Sequence, residues 1–325
     1  MSNVTLATGR QPANRSVRLW HREGTAFYGF IGLWLLGFVA LQLFPMLFAL
    51  YISLTNYDGM DLSRVSLVGL ENFKQALQDP NVYFTMGRTF IFWILSMPIG
   101  GTIALCLAVL LNRSMRGRGF FRTIFYLPTM VPVAATSLLF ANLFIKDFGL
   151  INMLLDLIRP GTNIDFIRAH GMTCLVVLAV WGLGVTMVLF LAGLQGIPEE
   201  LKEAAEIDGA NKRQVFRHVT GPLLSPVIYF VILTGTVSAF QLYVPAILLN
   251  SFQGGWVGAA TVPPDSIYVN MAYIFNNMLL MNKFGYGAAL TWILFIVIMA
   301  LTLIIRAFSK RLVYYEVDQQ GGGRK

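Results

Sequence analysis

The residues with the most distinctive chemistry lie in one charged segment between two long apolar stretches, from Gly196 to Pro226. Pro198 suits the first turn of a helix, and the two glutamates that follow it complement the helix dipole. Glu203 lies further along the same helix, where its carboxylate can form a charge-assisted hydrogen bond with a basic group. Gly209 is the natural end of this helix, because glycine readily adopts the left-handed conformation found at helix C-termini.

A second short helix is predicted in the same segment, from Asn211 to about Val219. Val215, Phe216 and Val219 would form its apolar stripe, and Pro222 would then start the next apolar stretch. Two short amphipathic helices joined at a glycine could dock into a groove on another protein. They could equally be an elbow that caps the helix bundle, and spacing alone leaves both readings open.

The chain lacks the motifs of common catalytic sites. It contains neither the phosphate-binding string G-x-x-x-x-G-K-[ST] nor H-E-x-x-H or G-x-S-x-G. Its three histidines lie in separate loops, and Cys106 and Cys174 lie in apolar stretches, so we expect neither a metal site nor a disulfide framework. We therefore predict a protein that is not an enzyme and that has no catalytic residue, metal ligand or cofactor of its own.

Six long apolar stretches set the architecture. Hydrophobic residues make up 56% of the 325-residue chain and charged residues 12%, whereas a soluble domain carries about 25% charged residues. A helix needs roughly 20 apolar residues to cross the hydrocarbon core of a membrane. The stretches that meet this length are residues 26–54, 89–112, 123–145, 171–196, 222–249 and 284–308. The sequence thus predicts an all-α, polytopic membrane protein with six transmembrane helices in a domain over residues 26–308.

The positions of lysine and arginine predict the orientation of the chain. Most of the 24 basic residues lie in the tails 1–25 and 309–325 and in the loops that follow the second and fourth spans. By the positive-inside rule, both tails and both loops are cytoplasmic, including the loop 197–222. An anionic membrane surface then explains the net charge of +8, and no nucleic-acid partner is needed.

Ionisable side chains are absent from the apolar part of each predicted span, the last being counted to Ile305. Carriers that are driven by protons or sodium usually keep such groups near the middle of the membrane, because these groups provide the coupling. Their absence disfavours a secondary carrier and favours a transporter that is powered from outside the membrane.

The charged segment also resembles a known family. Glu203-Ala204-Ala205, followed by Gly209, Val219 and Pro222, is similar to the EAA signature of permease subunits in binding-protein-dependent ABC importers. Gly221 departs from that pattern, since the family usually has leucine before the proline. Further likeness to the maltose-type sugar permeases, on the side of the first of two unlike subunits, lies at residues 55–58, 69–73, 111–128, 190–198 and 284–290.

This resemblance implies a type I ABC importer permease fold in a bacterial cytoplasmic membrane. It implies four kinds of partner: a second permease subunit, two ATP-binding subunits that carry ATP and Mg, an extracytoplasmic solute-binding protein, and membrane lipid. The EAA loop would sit in a cleft of the ATP-hydrolysing subunit and pass on its movement. The loop residues implicated in this coupling are Glu203, Ala204, Ala205, Asp208, Gly209, Phe216 and Pro222.

Two polar and aromatic clusters within the spans are candidates for the path of a sugar, which needs hydrogen-bonding groups and flat aromatic faces. They consist of Trp181, Gly182, Val185 and Thr186 in the fourth span and Ser238, Phe240, Gln241 and Tyr243 in the fifth. Composition alone favours helix packing for both clusters, because small and aromatic residues commonly fill membrane interiors. The resemblance implies a sugar site instead, with Phe240 and Gln241 matching best.

The cargo itself cannot be read from the chain. A sugar or oligosaccharide is the main prediction, and a polyol, a glycerophosphate or an acidic oligosaccharide is the alternative within the same machinery. A stand-alone secondary carrier is the alternative from another class.

Several other segments carry weaker predictions. Residues 66–79 have the pattern of a short amphipathic surface helix, and residues 266–282 that of an interfacial or re-entrant helix. Pro128 and Pro132 could form a gating kink or merely a bend in the third span. Asn250 and the glycine pair 254–255 could belong to an outer gate or to a flexible loop.

Overall fold

The computed structural model describes residues 27–251 and 263–312, apart from Phe30, Leu62 and Arg64. The tails 1–25 and 313–325 and the glycine pair 254–255 therefore lie outside the described residues. Within the described part the secondary structure is helical, except for an isolated antiparallel bridge between Thr55 and Leu67. The predicted all-α class is confirmed.

The chain divides after Ile52 into two units. The described residues of the first unit belong to one helix, α1 (Phe27–Ser53). The second contains the helices α2 (Glu71–Gln78), α3 (Pro80–Asn112), α4 (Arg118–Tyr126), α5 (Val133–Phe144), α6 (Leu150–Ile158), α7 (Phe166–Trp181), α8 (Gly184–Gln195), α9 (Glu199–Ile207), α10 (Lys212–Phe240), α11 (Val244–Leu249), α12 (Asn270–Phe275) and α13 (Phe284–Leu312).

Four of the described helices are long and apolar enough to cross a membrane, namely α1, α3, α10 and α13. The bent pairs α4–α5 and α7–α8 bring the number to six if each pair is one span. The predicted number of spans therefore agrees with the structure, but four of the six differ in extent or shape.

The second span begins earlier than predicted, at Pro80 instead of residue 89. Asp79 caps the helix by accepting a hydrogen bond from the backbone N–H of Asn81, and Pro80 occupies the first turn, where its missing N–H costs nothing. The apolar run in the sequence stops at Arg88, yet the helix includes this residue, whose guanidinium lies 5.3 Å from the ring centre of Phe84. The helix that contains the predicted span 89–112 is therefore longer than its apolar run and includes one charged residue.

The third span is not one helix over 123–145. It starts at Arg118, passes through a 3-10 turn at Leu127–Met130, and is bent by 93° before α5. Val131 is extended (ψ 131°) because the ring of Pro132 disfavours a helical residue before it. The two-proline segment is therefore a sharp break.

The fourth span begins at Phe166 instead of 171 and is also broken, with a bend of 48° between α7 and α8. Gly182 ends α7, and Gly184 begins α8 against the backbone of α4. A Cβ atom on Gly184 would lie 2.5 Å from the carbonyl oxygen of Phe125, so only glycine permits this approach. Close packing against a distant part of the chain accompanies the break.

The fifth span extends further towards the loop than predicted, because α10 is continuous from Lys212 to Phe240. The predicted separate helix 211–219 and the predicted start at Pro222 are both wrong. A π-helical turn lies at Phe216–Thr220, in which the N–H of Gly221 donates to the carbonyl of Phe216. The helix continues through this turn and through Pro222, which follows it. The fifth span was predicted to continue to residue 249. In the structure the helix instead ends at Phe240, residues 241–243 are not helical, and α11 follows.

Two buried apolar clusters hold the second unit together. One packs α3 against α2, α5, α7, α11, α12, α13 and the end of α10, and the other packs α3 against α8 and the rest of α10. Helix α3, which is about 50 Å long at 1.5 Å per residue, therefore runs through both clusters and forms the axis of the unit.

The two predicted short helices outside the spans are both present. The surface helix in 66–79 is α2, and Asn72 on it donates hydrogen bonds to the carbonyls of Ser53 and Thr55. The amide-rich segment 266–282 contains α12 and a following π-helical turn at Asn276–Leu280. Three of its four amides, those of Asn270, Asn276 and Asn277, are buried within the protein, whereas Asn282 is exposed. Asn276 donates to the hydroxyl of Tyr268.

Candidate functional site

The acid-rich helix α9 ends as the sequence predicts. The N–H of Asp208 donates to the carbonyl of Ala204 (3.0 Å), and the N–H of Ala210 reaches back to Ala205 (2.9 Å). Gly209 between them has φ +87°, a conformation that glycine adopts without steric cost. The chain therefore reverses sharply at this glycine.

The start of α10 directly after this reversal is fixed by a capping box. The side chain of Asn211 accepts hydrogen bonds from the N–H groups of Arg213 and Gln214, and the Gln214 side chain accepts one from the N–H of Asn211 (2.8 Å). The pattern N-x-x-Q was available in the sequence as a signal for a helix start. Because both sides of the turn are capped, α9 and α10 meet in a defined geometry.

A polar groove of about 780 Å³ opens between this loop and the ends of α3 and α8. Of the predicted loop residues, Glu203 and Phe216 line it. The other charged residues that line the groove, none of which is among the predicted coupling residues, are Arg113, Glu199, Lys202, Glu206 and Lys212. Lys202 pairs with Glu199 within α9 (2.7 Å).

The remaining loop residues form the surface of the elbow. Ala204 is exposed and Ala205 half-buried, so both small residues leave α9 open to close approach by another surface. Ile207, at the tip of α9, has 86% of its surface exposed. Pro222 lies inside the continuous helix α10, directly after the π-helical turn at Phe216–Thr220.

A second opening, a cavity of about 500 Å³, lies beside the break in the fourth span. It is formed by α3, α7, α8 and α10 together with Leu183 and Leu242 next to their ends. Four of its lining residues carry hydroxyl groups: Ser96, Thr186, Thr234 and Ser238. The lining residues that the structure describes include none with a charged side chain. Such a cavity can donate and accept hydrogen bonds but offers no counter-charge.

The structure separates the predicted cargo residues into two groups. Gly182, Val185, Thr186 and Ser238 line the cavity. Phe240 is fully buried in the apolar core, with its ring 5.0 Å from that of Phe90.

The other three cargo candidates also lie away from the cavity lining. Trp181 contacts Phe140 edge-on with ring centres 5.8 Å apart, Tyr243 stacks on Phe275, and Gln241 is exposed at the C-terminal end of α10. Helix α3 also lines the cavity, through residues that include Ser96, Gly100 and Gly101, although no local sequence pattern marks them as candidates.

A half-buried carboxylate at the start of α3 has no counterpart among the predicted site residues. Asp79 accepts hydrogen bonds from the hydroxyls of Tyr273 and Tyr286 (2.8 Å for the latter) and from Asn81. Partial burial raises the pKa of Asp79, but these hydrogen bonds together outweigh it, so the pKa lies below its usual value. One carboxylate thus joins α3, α12 and α13.

We expect Asp79→Asn to lower the thermal unfolding midpoint at neutral pH, because the amide cannot accept both tyrosine hydroxyls as strongly as the carboxylate does. A carboxylate with a lowered pKa in the folded state stabilises that state above its unfolded pKa of about 3.9, and this stabilisation is lost as the pH falls through the folded value. The difference between the wild type and the variant should be constant from pH 5 to 8 and shrink below about pH 4.

The exposed Asp58, whose side chain accepts only a local hydrogen bond from Met60 among its described contacts, supplies the control variant Asp58→Asn. An equal loss of stability in both variants would contradict a specific role for the Asp79 cluster.

Residues 96–314 match the family described as binding-protein-dependent transport system inner membrane component. The chain belongs to this family. The matched region contains the whole loop between α8 and α10 and every cavity-lining residue except Phe92. The two openings of the permease therefore lie in the part of the chain that defines its family.

Similar proteins cover nearly the whole permease. It is 32% identical over 311 residues to the probable ABC transporter permease protein YesP of Bacillus subtilis, covering 94% of this chain and 96% of that protein. It is 30% identical over 293 residues to the arabinooligosaccharides transport system permease protein AraP of the same species, covering 88% and 89%.

Among solved structures, a bacterial ABC transporter involved in the import of the acidic polysaccharide alginate superposes with a TM-score of 0.75. It is 19% identical to the permease, and the match covers 91% of this chain and 100% of that one. The type I ABC importer permease fold implied by the resemblance is thereby confirmed, in a multi-pass inner-membrane protein.

Proposed function

We propose that the permease forms half of the membrane pore of an ABC importer for an uncharged sugar or oligosaccharide. The observation that carries this proposal is the cavity beside the broken fourth span, with its four hydroxyl groups and its uncharged described lining. Hydroxyl side chains can replace the water around a neutral sugar, whereas an anion transferred there would need a counter-charge.

The names of relatives support a carbohydrate cargo. Besides the arabinooligosaccharide permease, the chain is 31% identical over 269 residues to the lactose transport system permease protein LacF of Rhizobium radiobacter. The runner-up cargo is a glycerophosphate, since the permease UgpA of the sn-glycerol-3-phosphate system of Agrobacterium fabrum is 32% identical over 270 residues. The uncharged cavity favours the sugar.

We place the other functions on partners. A second, unlike permease would complete the pore, two ATP-binding subunits would carry ATP and Mg, and a solute-binding protein would deliver the cargo. A solved alginate transporter in complex with its pentasaccharide-bound periplasmic protein supports the last of these. The loop between α8 and α10, with Glu203 in its groove, would face the cytoplasm together with both tails, as the lysine and arginine pattern predicts.

A bulky side chain in the cavity tests the cargo path. Ser238→Phe should reduce uptake more than tenfold in the reconstituted complex, because the ring would fill space that the sugar must occupy. Thr302→Phe on α13 adds the same ring outside the cavity lining and should leave uptake within about twofold. Equal uptake by the Ser238→Phe variant and the wild type would exclude this cavity as the path.

The class of cargo is tested by the ATPase activity of the complete complex with its binding protein. A panel of neutral mono- and oligosaccharides, glycerol 3-phosphate and alginate oligosaccharides should give the strongest stimulation with a neutral member. Stimulation by an anionic compound alone would overturn the sugar assignment while leaving the importer assignment intact.

A further inference from the structure

The short helix α6 connects the two bent spans α4–α5 and α7–α8. It turns a polar residue inwards and apolar residues outwards. Its one amide side chain, Asn152, is 3% exposed and points into the protein. Leu157 and Ile158 remain 81% and 82% exposed. A helix on a water-facing surface turns its apolar side inwards instead. The surroundings on the outer side of α6 must therefore be apolar.

The exposed apolar side chains of α6 lie on a single face. They are Leu150, Met153, Leu154, Leu157 and Ile158. At 100° per residue they cover an arc of about 140°, and Asn152 lies opposite its centre. Phe148, which is 83% exposed, extends this apolar surface just before the helix. This is a continuous patch, unlike the isolated apolar residues that normally occur on a protein surface.

Hydrogen bonds hold this face outwards. The Asn152 amide donates to the carbonyls of Ile145 and Ile164 (3.2 and 2.9 Å), and its oxygen accepts from the N–H of Ile164 (3.0 Å). A Cβ atom on Gly149 would lie 2.3 Å from the carbonyl oxygen of Ile145, so the chain enters the helix in tight contact with the end of α5. Helix α6 cannot roll over to bury its leucines without breaking these contacts.

Charges around α6 are arranged for a lipid headgroup region. The exposed basic residues Lys146 and Arg159 flank the helix at either end. Two nearby acids are engaged within the loop, since Asp156 accepts a hydrogen bond from the N–H of Gly161 (2.7 Å) and Asp147 one from the Asn163 amide. Long basic side chains beside an apolar face reach lipid phosphates while the face enters the acyl-chain region.

The position of α6 along the chain agrees with this environment. It joins two segments that each cross the membrane if bent pairs are single spans, so it must lie at a membrane boundary. The fourth span separates it from the loop between α8 and α10, and α6 therefore lies at the opposite boundary from that loop.

We infer that α6 is an interfacial helix seated in the outer leaflet, with its apolar face in lipid. Through Asn152 it ties the end of α5 to the start of α7, and so anchors both broken spans to the bilayer on the side where cargo enters. This inference rests on the proposed orientation of the permease but not on the nature of its cargo.

Collision measurements on nitroxide labels test this placement. Leu154→Cys and Leu157→Cys, with Asp156→Cys on the same helix as the matched control, would be labelled in a Cys106→Ser, Cys174→Ala background. The complete importer would be reconstituted into phospholipid vesicles. At 154 and 157 we expect collisions with oxygen to exceed those with a water-soluble nickel chelate, and at 156 we expect the reverse order.

Two results would overturn the inference. If neither reagent reaches the labels at 154 and 157, a protein partner covers the apolar face. If the nickel chelate collides with these labels more often than oxygen does, the face lies in water. Ile158→Cys, at the exposed end of the same arc, provides a replacement position if one of the labelled variants does not assemble.

Discussion

Replacement of Glu203 by alanine is expected to reduce ATP-dependent uptake by about tenfold to hundredfold. Glu203 lines the groove beside α9, where its carboxylate is available to a basic group of an ATP-binding subunit. A hydrogen bond to a charged group contributes about 1.5–3 kcal/mol, and 1.4 kcal/mol corresponds to a factor of ten in a binding constant. Uptake into vesicles and co-purification of the ATP-binding subunits would measure the loss.

The matched control for this prediction is Glu200→Ala. Glu200 lies on the same helix and is exposed, but it does not line the groove. Both variants should keep the thermal midpoint of the wild type, because neither side chain is buried. If uptake falls equally in the two variants, loss of one negative charge anywhere on α9 explains the effect. Glu203 then has no specific role in coupling.

The second large effect is expected for Gly285→Ala at the start of the last span. A Cβ atom there would lie 2.1 Å from the carbonyl oxygen of Thr55 and 3.2 Å from the amide nitrogen of Asn72. The carbonyl oxygen of Thr55 belongs to the backbone and cannot move aside as the end of a flexible side chain could. We therefore expect the free energy of unfolding to fall by about 2–3 kcal/mol. The thermal unfolding midpoint in detergent should fall by about 5 °C or more.

Gly87→Ala serves as the control. Gly87 lies within α3, and a Cβ atom there meets nothing within 4 Å. Alanine is favoured over glycine in a helix by up to about 1 kcal/mol, so this variant should be as stable as the wild type or slightly more stable. A midpoint for Gly285→Ala that equals that of the wild type would show that the last span can shift to make room.

The sequence predicted those features that depend on local patterns. Long apolar runs predicted the six spans, and Gly209 predicted the reversal after α9. Both features depend only on nearby residues, and no contact with a distant part of the chain is required for them. The early start of α3 could not be predicted from hydropathy, because the apolar run begins only after Arg88. An arginine near a helix end can keep its charged group at the membrane surface, so it does not end a span.

The breaks and buried contacts could not be predicted because distant residues determine them. The bend before Gly184 accompanies contact with α4, which lies in another span. Asp79 is separated from its two tyrosine partners by 194 and 207 residues. Of the residues predicted for the cargo path, Ser238 and Thr186 line the cavity, whereas Phe240, only two positions from Ser238, lies in the core.

Helix α10 runs without a break from the loop to the cavity, although a π-helical turn, Pro222 and Pro226 lie in its first half. From Phe216 to Ser238 it measures about 33 Å at 1.5 Å per residue. A tilt of a few degrees imposed at the Phe216 end would swing the Ser238 end by about 2 Å or more over this length. The fourth span is bent by 48° between α7 and α8, whereas α10 is a single helix. If closure of the proposed ATP-binding subunits tilts α10, the side of the cavity formed by α10 would move with the loop. The side formed by α7 and α8 would then adjust at the bend between these two helices.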